Sequence, residues 1–269
     1  IYNKDRVGQP CYVSIPLEQG EVYPEDRVII TQNGKGMPVQ KKILSCHKDG
    51  SVRYLFLRFL ADIPANRKTI AECEFRRDNM PSELEVCEEY KLLSTSKTDN
   101  GYQIASDKLS FEVKDNTDHL FETLTTYGKN YSGEQFAGPI LKVKKDDEAV
   151  ALKYFMQYGK WQTVEEGPVC TVLSCKGRLL CSDVEAGNLT GNSVQINKDE
   201  DAGKAGLQEG ILCEVRLTAY AGKSNVDVAV RLVNATENPL PMTSLEFSIV
   251  DGGDLYEEQH DGRQMSQRM

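Results

Sequence analysis

The residues suited to chemistry are few and scattered. Cys46-His47-Lys48-Asp49-Gly50-Ser51 sets a thiol, an imidazole, a carboxylate and a hydroxyl side by side, the ingredients of nucleophilic catalysis. Such catalysis needs thiol and imidazole within hydrogen-bonding reach, whereas neighbours on a strand point to opposite faces. Asp49-Gly50 is also a hairpin-turn dipeptide, so His47 reads as a residue flanking a turn. His119 and His260 stand in polar sequence with no partner at useful spacing. Glu165-Glu166 is a carboxylate pair, but adjacent strand residues diverge, and a glycosidase couple must flank one bond. Neither a Gly-rich phosphate loop nor HExxH nor GxSxG occurs. The sequence assigns no catalytic residue and no metal ligand.

One stretch is dense in aromatics: Tyr154, Phe155, Tyr158 and Trp161, the last the single tryptophan of the chain. Sugar rings lay their C–H faces on aromatic planes and take hydrogen bonds from polar side chains. Trp161, Tyr158 and Tyr154 are therefore the candidate carbohydrate-binding residues. The same stretch also suits a hairpin whose cross-strand aromatic pairs stabilise a sheet. Arg53, Arg58, Arg216 and Arg231 alternate with core residues, and are expected to point outward along separate sheets, away from any aromatic platform.

The elements that must position these groups are strands. Leu55, Leu57 and Phe59 share one face of a period-2 pattern, as do Leu109, Phe111 and Val113, and Val169, Thr171 and Leu173. Cys213, Val215, Leu217 and Ala219 continue the series, followed by Val226, Val228, Val230 and Leu232, and by Leu245, Phe247 and Ile249. Turn signals such as Asn33-Gly34, Asp49-Gly50 and Asp99-Asn100-Gly101 separate them, the punctuation of an all-β sandwich or barrel. Ser82-Glu83-Leu84-Glu85 opens either a capped helix or two short strands. The polar run from Ser94 to Asn100 reads as a linker between two blocks of strands. A second polar run, Asn197 to Lys204, lacks the EF-hand calcium pattern and reads as a hairpin loop.

Composition narrows the class. The chain has 269 residues, 32 Lys+Arg against 41 Asp+Glu, and a formal net charge of -9. That balance argues against nucleic acid as a partner, since phosphate binding needs clustered cations. No apolar run approaches the roughly 18 residues of a membrane-spanning helix, so a membrane is not an expected partner either. There are 8 cysteines, but no CxxC pair among them. Cys73 and Cys213 fall on the apolar side of alternating patterns, as core thiols do. Reduced thiols favour a cytoplasmic location, and a secreted form whose signal peptide has been removed fits the same residues. The ends at Ile1 and Met269 are those expected of a piece of a longer polypeptide.

Gly8-Gln9-Pro10, then Val13-Ser14-Ile15-Pro16-Leu17, then Met37-Pro38-Val39-Gln40 precede Asp49-Gly50-Ser51-Val52-Arg53-Tyr54. This order resembles the N-terminal barrel of the exo-rhamnogalacturonan lyase-like, or YetA-like, family of bacterial proteins, with His47 and Tyr54 standing where that family has Trp. Gly167-Pro168-Val169 and Tyr220-Ala221-Gly222 look like parts of the family's second domain. The resemblance implies a small RIFT-type β-barrel over 1–93, a linker over 94–100, and an antiparallel β-sandwich over 101–269, truncated at its C-terminal end. A large C-terminal α/α-barrel domain of the same polypeptide is implied as a partner, with a pectic oligosaccharide as glycan substrate. Enzymes of this kind cleave rhamnogalacturonan by β-elimination, which needs a base and a cation at the uronate. The resemblance implies those groups on the α/α-barrel or in its cleft with the β domains, and calcium fits the full-length family although this chain has no motif for it. The expected function is thus the non-catalytic β portion of a lyase-like protein, shaping one wall of a glycan cleft. The alternative is a stand-alone carbohydrate-binding or scaffold module.

Overall fold

The computed structural model describes residues 3–77, 90–143, 152–182, 211–234, 242–251 and 254–257. Ser82 to Glu85, Asn197 to Lys204 and His260 lie outside them. The protein is all-β, as the alternation predicts, and every strand pairing among the described residues is antiparallel.

The first part of the chain forms two three-stranded sheets. One has the order β1 (Arg6–Pro16), β5 (Val52–Ile63), β4 (Val39–Cys46); the other has β3 (Lys35–Met37), β2 (Arg27–Gln32), β6 (Glu72–Arg76). Asn33 and Gly34 both have positive φ, the paired left-handed geometry that closes the tight β2–β3 hairpin. The two sheets curve as a half-barrel around Leu17, Val22, Ile30, Met37, Val52, Leu55 and Leu57. Leu55 and Leu57 are almost wholly buried, and each contributes about 1.5–3 kcal/mol by leaving water. Cys73 differs from its expected core position and is exposed, because β6 is the edge of its sheet and that side stays open to solvent.

Next come β7 (Ser94–Thr98), β8 (Gly101–Ala105), β9 (Leu109–Lys114), β10 (Thr123–Thr126) and β11 (Lys129–Ser132), a five-stranded meander. The stretch expected to be a linker, Ser94 to Asn100, is therefore mostly strand. An edge strand pairs its backbone on one side only and can be polar on both faces. Here Thr95 Oγ1 lies 2.8 Å from Thr171 Oγ1, and the turn at Asp99-Asn100 returns the chain into β8.

The largest sheet has seven strands in the order β16 (Val226–Asn234), β15 (Ile211–Tyr220), β14 (Cys170–Ser182), β13 (Leu152–Glu165), β12 (Phe136–Val143), β17 (Met242–Asp251), β18 (Asp254–Glu257). It shares one hydrophobic cluster with the meander: Ile104, Leu109, Phe111 and Val113 meet Leu141, Tyr158, Trp161, Leu173, Val215 and Leu217. Leu60, at the far end of β5, belongs to this larger cluster, and Tyr90 packs against both.

Candidate functional site

Trp161 and Tyr158 are 1% exposed and Tyr154 is 5% exposed. All three belong to the larger core, so the rings offer no open face to a sugar. In a straight strand Tyr158 and Trp161, three positions apart, would point to opposite sides. A bulge in β13 between them reverses that, and the rings stack at 5.9 Å with planes 15° apart. The bulge is held from outside: Asn116 N donates to Gly159 O at 3.0 Å, and Asp115 Oδ1 accepts from Trp161 N at 2.8 Å. The Tyr158 hydroxyl donates to Gly138 O at 2.6 Å. These aromatics carry packing.

His47 sits where the turn reading puts it. Its backbone N donates to Ser51 O at 2.8 Å and its carbonyl accepts from Gly50 N, while the ring Nε2 lies 3.1 Å from Leu17 O. Cys46 is exposed and takes no part in these contacts. His119 lies 3.3 Å from its own neighbour Asp118. Among the described residues, no three His, Cys, Asp or Glu side chains gather as metal ligands.

A different surface brings aromatics and charges together. On β5, Tyr54, Phe56 and Arg58 alternate with the buried leucines and point the other way. The register of β1 sets Pro16 opposite Tyr54, Ser14 opposite Phe56 and Tyr12 opposite Arg58. On the other flank, β4 sets Lys42 opposite Phe56 and Gln40 opposite Arg58. Opposed residues share a face, so the outer side of this sheet carries Tyr12, Phe56 and Tyr54 in a diagonal row. Tyr12 is 74% exposed and Tyr54 41% exposed. Tyr12 and Phe56 rings lie 5.9 Å apart, Arg58 lies over Phe56 at 4.9 Å, and Arg53 lies over Tyr54 at 5.6 Å. Arg53 and Arg58 thus do not point away separately, as expected, but join one aromatic row.

Glu165 closes one end of this face. Arg58 Nε donates to Glu165 Oε1 at 2.7 Å, and Lys42 Nζ lies 3.4 Å from Oε2. Gln40 Nε2 donates to the same carboxylate at 3.0 Å, while Gln40 Oε1 accepts from Val169 N and Cys170 N. A Cβ on Gly167 would stand 2.3 Å from Gln40 Cδ, so only glycine lets this bridge form. Tyr220 joins from β15, its ring 5.8 Å from the Arg58 guanidinium. Cys170 lies behind; burial pushes its thiol up to about 12 even with Arg58 near, so it is no nucleophile at neutral pH.

Arg58 and Lys42 share the one carboxylate of Glu165, while Arg53, over the Tyr54 ring, has no such partner beside it among the described residues; Tyr12 and Tyr54 are the exposed rings of the row. That combination suits a ligand with flat apolar faces and carboxylates. Sequence reasoning missed Tyr12, Phe56, Lys42, Gln40 and Glu165 as a group. The alternation of Tyr54, Phe56 and Arg58 was a readable signal on β5, but their partners come from strands whose register only the fold supplies. No family model matches the chain, and no curated protein matches it.

Proposed function

We propose that this chain is the non-catalytic β portion of a polysaccharide lyase-like protein akin to the exo-rhamnogalacturonan lyase-like family, a small barrel followed by a sandwich, which shapes one wall of a glycan cleft. The observation that carries the reading is the Tyr12–Phe56–Tyr54 row, its two tyrosines exposed and its phenylalanine half-buried between them, with Arg53 at its side. Such rings take the C–H faces of sugars, and the Arg53 cation matches a carboxylate of a pectic oligosaccharide. Base chemistry belongs, on this reading, to a further domain of the same polypeptide.

The test is calorimetric titration with rhamnogalacturonan oligosaccharides. Tyr12→Ala and Tyr54→Ala should each weaken binding roughly tenfold, the loss of one stacked ring at about 1 kcal/mol or more. Tyr127→Ala, at an equally exposed ring on the β10–β11 hairpin, should change nothing. Absence of binding by the parent chain, or binding that Tyr12→Ala and Tyr54→Ala leave intact, overturns the proposal.

A further inference from the structure

β16 is the outermost strand of the seven-stranded sheet, and among the described residues it pairs only with β15. The pairing runs in unbroken register from Val226 to Asn234, with no bulge to twist the outer edge away. Nor does β16 contain proline, and Asp227, Val228, Ala229, Arg231 and Val233 are all exposed. A straight nine-residue edge with exposed valines is a template for another strand.

The sequence of that edge says which strand fits. Asp227 and Arg231 lie at equal distances on either side of Ala229. If a second β16 runs antiparallel to the first about a two-fold axis at Ala229, Asp227 of each copy stands directly opposite Arg231 of the other. The same register sets Val228 opposite Val230 and Val226 opposite Leu232; Val226, Val230 and Leu232 pack against the larger core, while Val228 shares their face by alternation but is 40% exposed. Opposed residues in an antiparallel pair share a face, so charges meet charges and apolar groups meet apolar groups. Moving the axis by one residue either way loses both charge pairs. Within the chain, Glu214 accepts from Arg216 and Ser174 and also feels the Arg231 charge opposite it, and Asn225 donates to Asp227 at 2.9 Å; both Asp227 and Arg231 remain exposed on the edge.

We infer that β16 is a self-complementary edge through which two copies of this chain join their seven-stranded sheets, with a two-fold axis at Ala229. A two-fold contact of this type closes on itself and stops at a dimer. The inference is independent of any glycan.

Sedimentation velocity on the full chain is the experiment. A particle of twice the 30.1 kDa chain mass is expected, dissociating on dilution and weakened by salt, as exposed ion pairs are. Arg231→Glu should raise the dimer dissociation constant roughly tenfold, because it replaces two attractions by two repulsions. Adding Asp227→Arg to an Arg231→Asp chain restores the pairs with sign reversed and should restore the dimer. Ala229→Cys, in a background of Cys46→Ser and Cys73→Ser, should cross-link under mild oxidation, since opposed Cα atoms lie about 4.5–5.5 Å apart. Val233→Cys in the same background should not. A monomer at every concentration, a dimer indifferent to Arg231→Glu, or open-ended filaments through a different edge would each overturn the inference.

Discussion

Cys170, Cys175 and Cys213 are thiols inside or beside the larger core, and burial pushes each up to about 12. In the unfolded chain the same groups titrate near about 8.5. Between those values the folded state holds protons that the unfolded state gives up. The resulting stability is therefore complete below about pH 8.5 and is lost as pH rises toward about 12. Melting temperature should hold level through neutral pH and fall progressively above about pH 9, measured by thermal scans in matched buffers. Alkylation followed by peptide mass spectrometry gives the same information residue by residue. Cys46 and Cys73 should label rapidly in the native protein, and the three core thiols only after unfolding. Equal rates for all five would mean that the core is open.

At the level of single strands, Gly101 is the position with least tolerance. It begins β8 at φ 148°, and an added Cβ would lie 1.9 Å from the carbonyl oxygen of Val113 on the neighbouring strand. Gly101→Ala must therefore break the β8–β9 pairing where it starts, at a cost of about 3 kcal/mol, read as a drop in the urea midpoint with little change in slope. Much of this architecture is legible locally. The alternation of β5, β9 and β15 gave their buried faces, because period-2 burial is written into each strand separately. The aromatic stretch of β13 was visible as a cluster, but its direction was not. A one-residue bulge decides which side each ring takes, and nothing in Tyr158-Gly159-Lys160-Trp161 counts residues on the partner strand. β7 is silent in the sequence for a related reason: an edge strand built of Ser, Thr and Lys has no apolar face to betray it. The row of Tyr12, Phe56 and Tyr54 spans two strands, so it exists only once their register is set.

Taken whole, the half-barrel and the larger pair of sheets are joined by more than chain connection. Gln40 and Glu165 bridge them through side chains that are largely buried, and Arg58 sits at the centre of the bridge. Glu165→Ala leaves that guanidinium half-buried without its carboxylate and should cost about 2 kcal/mol, or about 5 °C in melting temperature. If the junction were incidental, the variant would melt with the parent. β5 makes the join continuous, since Leu55 and Leu57 lie in one core and Leu60, on the same unbroken strand, lies in the other. A strand cannot be half in place. Dissection of this protein into separately expressed halves, cut anywhere after Arg77, would leave Leu60 with its native surroundings on a different molecule. The first half would then carry a raw apolar tip into solution, and fragment complementation, rather than independent refolding, becomes the behaviour that the architecture dictates.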